Sequence, residues 1–198
     1  DRLPLTAVSQ STQLPRYAVA QLMQSGLLAT LTHPYWEARY GVRNTTTQAW
    51  AAFEAKIQAK ADPAMIDGVP LQIAARAIGG RAKPWAGIFA WLLGPDGRFS
   101  LAPEASDLSH QILIPAELID TLRMLENPLS GAHVEDELSG ADASEILNLA
   151  TNQFLKFVAT GRIRRHGKAY LAVDVLQTAA EIIGSVEIGY RMGLPPQS

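Results

Sequence analysis

The sequence predicts a mainly α fold with small β-wings, assembled from tandem winged helix-turn-helix units, and three observations predict it. Short apolar stripes recur at helical spacing and are separated by tight turns. Glycines fall where a helix would stop, as at Gly26 and Gly161. Short extended pieces bounded by Gly, Pro or Asp then lead into a closing helix. From Ser144 to Asp174 all these parts occur in one order: helix, turn, second helix, basic hairpin, further helix.

The elements follow from the N-terminus. Leu5 to Gln10 reads as a short helix with Leu5 and Val8 inward, and Ser11 to Leu14 as a turn. Pro15 suits the first position of a second helix, because its missing N–H is not needed there. That helix carries Val19, Leu22 and Met23 on one stripe, and Thr45 to Ile57 closes the segment with Trp50, Phe53 and Ile57 at core spacing. The middle segment offers a helix over Leu71 to Ile78 and a second from Pro84 to Leu93. Two short strands, Arg98 to Leu101 and Gln111 to Ile114, and a helix after Pro115 complete it. Trp85 and Trp91 read as core residues, and the chain ends in a helix from Val173 to Ile188.

Breaks near Lys60 to Pro63 and Glu126 to Gly131 combine proline with polar or small residues, which is linker chemistry. They divide the chain into residues 1–60, with a long wing insert from Thr30 to Tyr40, residues 64–126, a looser copy, and residues 129–198. The third segment lies on the first without gaps: Leu149 on Leu14, Phe154 on Val19, Phe157 on Leu22, Gly161 on Gly26 and Ile163 on Leu28. Apolar meets apolar at each position, the signature of an internal repeat. In the middle segment the order of parts matches but the register does not transfer cleanly.

Composition narrows the function classes. In 198 residues, 47% are hydrophobic and 18% charged, which describes a globular chain rather than a disordered one. A net charge of −2 argues against a strongly basic, indiscriminate nucleic-acid binder, but a local basic face can exist on a neutral chain. Without cysteine, thiol catalysis and disulfides are excluded, and a cytoplasmic setting is expected. No apolar run approaches the roughly 20 residues of a membrane span. Opening at Asp1 without an initiator Met, the chain reads as processed or as a piece of a longer protein. His33, His110, His133 and His166 are scattered with no metal-ligand spacing, and no nucleophile or phosphate-loop motif occurs, so no enzyme, cofactor or metal is expected.

The run from Glu145 to Leu149, with Phe154, Phe157 and Gly161 to Ile163, resembles the excisionase and MerR-type helix-turn-helix family. Lys168 to Leu176 is similar to the strand and Asp-led helix that close such domains. The resemblance implies double-stranded DNA binding, in a transcription regulator or an accessory factor of recombination or transposition. Tandem copies also occur in transposon-targeting proteins of the TniQ type.

In that reading the second helix of the third segment enters the major groove, and Thr151, Asn152, Gln153 and Lys156 meet base edges. Arg162, Arg164, Arg165 and Lys168 lie along the backbone or enter the minor groove, fixing register more than reading sequence. In the first segment the outward residues are Arg16, Tyr17, Gln21 and Gln24, and the aromatic insert from His33 to Tyr40 places Arg39 and Arg43 for phosphate contacts. Arg76, Arg81, Lys83 and Arg98 flank glycine turns in the middle segment. The alternative is a protein-interaction module that keeps the helix-turn-helix frame without touching DNA. The acidic run from Glu135 to Asp142, read as a solvated helix start, leans that way because it would repel phosphate. A homodimer or larger assembly is plausible through the last helix, where Ile182, Ile183, Val186 and Ile188 cluster.

Overall fold

The computed structural model describes residues 1–31, 44–65, 67–126 and 135–192. Among the described residues helix makes up 55% and the strands are short and antiparallel, so the chain is mainly α with small β-pieces. In the first segment β1 (Arg2–Pro4) leads into α1 (Leu5–Thr12) and α2 (Arg16–Gln24), then β2 (Asn44–Thr46) and α3 (Thr47–Lys60). In the middle, β3 (Val69–Pro70) precedes α4 (Leu71–Ala74), a 3-10 turn (Ala75–Ile78) and α5 (Trp85–Leu93). β4 (Ser100–Leu101), α6 (Leu108–Gln111), β5 (Ile112–Ile114), a second 3-10 turn (Ala116–Leu118) and α7 (Ile119–Met124) follow. The third segment has β6 (Glu137–Leu138), α8 (Gly140–Ile146), α9 (Thr151–Ala159), β7 (Arg165–His166), β8 (Ala169–Leu171) and α10 (Ala172–Glu181), then α11 (Ser185–Arg191).

The sheets share one plan. The first strand of each segment pairs with the strand that launches its last helix: Leu3 with Thr45, Val69 with Ile114, Leu138 with Tyr170. From each of those pairs the closing helix begins two residues on, at Thr47, Ala116 and Ala172. The helices α2, α5 and α9 are each nine residues long. The middle segment therefore matches its neighbours in strand register, though not in the spacing of its helices. Its irregularity is local: the helix expected over Leu71 to Ile78 tightens into a 3-10 turn at Ala75, and the chain takes a longer path to Pro84.

Backbone conformation coincides at two pairs of positions in the overlay of the outer segments. Gln13 and Asn148 occupy equivalent places between the first two helices, and both are left-handed, with φ of 57° and 58°. Gly26 and Gly161 end α2 and α9 with the same φ of 75°, where a side chain would be strained. At Asn148 the short amide side chain tolerates that region better than a branched side chain would.

Apolar residues from all three segments join one core. On α3, Trp50, Phe53 and Ile57 recur at helical spacing and are buried, and Phe53 stacks on Phe89 of α5 at 5.5 Å. The Thr46 hydroxyl caps that helix by accepting the Ala49 N–H at 3.0 Å. Trp85 is buried as expected, and Trp91 is only half-buried. The acidic run is only in part a solvated helix start: Glu135 to Glu137 are exposed, but Glu137 and Leu138 form a strand, and Asp142 in the first turn of α8 is buried, gripped by the Ser139 cap at 2.7 Å. The expected last helix is two helices, broken at Ile182 to Gly184, and α11 folds back on the middle segment. There the Gly80 N–H donates to Glu187 Oε2 at 3.2 Å, and a Cβ on Gly79 would lie 2.4 Å from the same carboxyl group.

Where the segments meet, one polar cluster draws a residue from each. The Lys83 side chain is 1% exposed; its ammonium pairs with Glu145 Oε1 at 3.1 Å and donates to the Glu145 carbonyl at 2.7 Å. The Tyr17 hydroxyl donates to Glu145 Oε2 and accepts from the Lys83 N–H at 3.1 Å and Trp85 Nε1 at 3.2 Å. Gln21 bridges the same seam, donating to the Lys83 carbonyl and accepting from the Ala86 N–H. Burial pushes the Tyr17 hydroxyl well above its ordinary range, and the neighbouring Glu145 adds to the shift. The Glu145 carboxyl is also raised by burial, against the pull of Lys83. Removing one member strands a buried charge. Glu145→Gln is expected to lose about 3–5 kcal/mol in denaturant unfolding, and Lys83→Met with Glu145→Gln to recover part of it. Equal losses in the single and double variants would show that the pair is not coupled.

Candidate nucleic-acid interface

Of the three equivalent helices, α9 alone presents a free polar face. On α2, seven of nine residues are buried, Tyr17 through Met23. On α5, Trp85 to Phe89 and Leu92 are buried. On α9 only Phe154 is buried, packed edge-on against Tyr170 at 4.8 Å. Thr151, Asn152, Gln153 and Lys156 are exposed together, as the sequence predicts. Thr151 to Gln153 form the first turn and Lys156 follows one turn after Asn152, so the four form a continuous patch. The Ala150 N–H reaches Gln153 Oε1 at 3.4 Å, and alanine has no side-chain acceptor to return. The N-terminal turn of α9 is therefore thinly capped.

Beside it, β7 and β8 form a hairpin closed by Gly167 and Lys168, with Gly167 at φ 61°. The basic cluster divides into two kinds of cation. Arg164 forks onto Asp174 through Nε at 2.8 Å and Nη2 at 2.7 Å, and its backbone N–H reaches the same carboxylate. Arg162 pairs with Glu181 at 2.9 Å, and His166 pairs with Glu137. These groups brace the hairpin against α10 and β6. Arg165 donates only to the Gly167 carbonyl, and it, Lys168 and Lys156 carry charge with no acidic partner among the described residues.

The first segment corrects two expectations. Tyr17 and Gln21 are 3% and 2% exposed and face the seam with the middle segment, because their polar atoms satisfy the Lys83 and Ala86 backbone there. They cannot meet DNA. Arg16 is exposed and borders a cleft at the junction of the segments, while Arg39 and Arg43 lie outside the described residues. In the middle segment Lys83 is internal, Arg81 donates to the Arg123 carbonyl at 2.9 Å, and Arg98 pairs loosely with Glu117 at 3.5 Å.

The junction cleft encloses about 560 Å³ and takes its walls from all three segments. Arg16, Trp85 and Thr151, the first residues of α2, α5 and α9, all line it. Its convergence was not visible in the sequence, since its residues are separated by more than a hundred positions and share no motif. Among the described residues no group of three or more His, Asp or Glu side chains is placed to hold a metal ion, and no helix is long and apolar enough to cross a membrane.

No family model, curated protein or solved structure matches the chain.

The Arg164 fork holds the Asp174 carboxyl at a pKa of about 2, well below its usual range. A depressed acid pKa stabilises the fold above the unfolded value of about 3.9, and that contribution is lost as pH falls toward the folded value. A carbon-detected NMR titration should place the Asp174 midpoint near 2, and Arg164→Gln should return it toward about 3.9. A midpoint that does not move would separate Arg164 from the shift.

Proposed function

We propose that the chain binds duplex DNA through its third segment, α9 entering the major groove and the β7–β8 hairpin lying along the backbone. The observation that carries this reading is the asymmetry among the three equivalent helices: α2 and α5 spend their faces on the core, whereas α9 keeps Thr151, Asn152, Gln153 and Lys156 outward. Asn and Gln offer the paired donor and acceptor that suit adenine, and Lys suits guanine or phosphate. Lys156, Arg165 and Lys168 supply the unpaired charge for the backbone. Arg162 and Arg164 act mainly by holding the hairpin rigid. The first two segments serve as a platform that fixes the angle of α9. The plan of strand, two helices, hairpin and helix supports reading the segments as tandem winged helix-turn-helix units. Through the excisionase and MerR-type resemblance, the setting is a regulator or an accessory factor of recombination or transposition.

A second reading, a protein-interaction surface, is favoured by α10. Val173 and Leu176 are 61% and 37% exposed at helical spacing, and Ile183 just beyond is 54% exposed. Such a stripe on an outer face suits a partner helix, including a second copy.

The two readings part in solution. Fluorescence anisotropy of the chain on a mixed-sequence duplex should show steeply salt-dependent binding, and Lys156→Ala with Arg165→Ala and Lys168→Ala should lower the log–log salt slope by about three. Asn152→Ala or Gln153→Ala should relax base preference by about 1–3 kcal/mol while leaving the salt slope intact. No binding at low salt would sink the DNA reading and turn attention to the α10 stripe.

A further inference from the structure

The junction cleft has the size of a small-molecule site, since such pockets run to about 300–1,000 Å³, and its lining is chemically biased. Three cations, Arg16, Arg76 and Lys83, face two carboxylates, Asp142 and Glu145. Both carboxylates are already committed. Asp142 accepts the Arg16 N–H at 2.7 Å and the Ser139 hydroxyl at 2.7 Å. Glu145 is held by Tyr17 and Lys83. The guanidinium groups of Arg16 and Arg76 are the ones left over: both residues are exposed and neither has an acidic partner among the described residues. They come from different segments and border the same cavity.

The remaining wall consists of hydrogen-bonding groups. Gln10, Gln13, Gln72, Asn148 and Gln153 contribute amides. The Asn148 amide donates to the Arg76 carbonyl at 2.9 Å, which ties the left-handed turn before α9 to the arginine-bearing turn of the middle segment. Ser144 also lines the cleft; it is 6% exposed, and its hydroxyl is buried with no hydrogen-bond partner. An unpaired buried hydroxyl costs free energy that an incoming acceptor would recover. The thinly capped first turn of α9 points its N–H groups toward its N-terminal end, where Ala150 and Thr151 line the cavity. Two surplus guanidiniums, that helix end and a polar wall together fit a compact oxyanion better than a cation or an apolar group.

We infer that the cleft between the three segments is an anion site that binds a phosphate group between Arg16 and Arg76. The phosphate belongs either to a small phosphorylated molecule or to the backbone of the duplex that α9 engages. The site itself stands whether or not duplex binding does, because it rests on Arg16 and Arg76, although Thr151 and Gln153 border both the cleft and the outward face of α9.

The test is an amide NMR titration of the whole chain with inorganic phosphate, run against potassium chloride at equal ionic strength. Saturable, phosphate-specific shifts are expected at Arg16, Arg76, Asn148 and Thr151. Arg16→Gln with Arg76→Gln, both exposed positions that should leave the spectrum of the core unchanged, is expected to weaken phosphate binding by about tenfold or more for each lost guanidinium. Duplex affinity of the same double variant separates the sources. A lower affinity with a shallower salt slope assigns the phosphate to DNA, and an unchanged affinity assigns it to a free phosphorylated molecule. Shifts that are absent, or that persist in the double variant, would overturn the site. A chain that binds phosphate here but no duplex would keep this inference and remove the DNA reading.

Discussion

Everything else in this molecule is arranged around one buried contact, the Lys83 ammonium on Glu145 with the Tyr17 hydroxyl closing the triangle. A charge this deep costs several kcal/mol unless each proton and lone pair finds a partner, so the three segments have little freedom to slide. Tyr17 comes from α2, Lys83 from the turn before α5, and Glu145 from α8. Each is useless without the other two.

That constraint decides which helix can work at the surface. Fixing Tyr17 and Gln21 on the Lys83 and Ala86 backbone turns α2 inward, and α5 is enclosed by α2 on one side and α3 on another. The third segment contributes to the cluster through α8 instead, so α9 stays outside. One repeated plan thus gives two helices to the core and one to solvent. The difference lies in which helix of each segment carries the polar residue that meets the cluster.

Much of the plan was legible in the sequence because it rests on local chemistry. The apolar spacing of α3, the glycine stops at Gly26 and Gly161, and the match of Leu14 with Leu149 and Val19 with Phe154 all reflect forces acting within a few residues. The outward face of α9 was legible for the same reason. Tyr17 and Gln21 were misread because a polar side chain on an amphipathic helix normally faces water, and only the fold reveals that another segment's backbone supplies their partners. Lys83 looked like one more surface cation beside a glycine turn. The division of the wing cations into bracing and free ones was equally hidden, since Asp174 and Glu181 reach Arg164 and Arg162 only once α10 packs beside the hairpin. The middle segment escaped a clean alignment because residues 79–84, rather than a stretch as short as 13–15, lead to its second helix, which shifts that helix while leaving the strand register intact.

The shared strand register also determines where this architecture can change length. In each segment the chain departs from the sheet and returns to it between the same two strand positions: Leu31 and Asn44 in the first, β4 and β5 in the middle, β7 and β8 in the third. The connection is residues 102–111 carrying a helical turn in the middle segment and the Gly167–Lys168 turn in the third. Insertions there leave the first strand, the helix pair and the closing helix untouched. The fold behaves as a fixed frame with exchangeable tips at the β4–β5 and β7–β8 connections, and new surface chemistry can be grafted or trimmed at either without renegotiating the core.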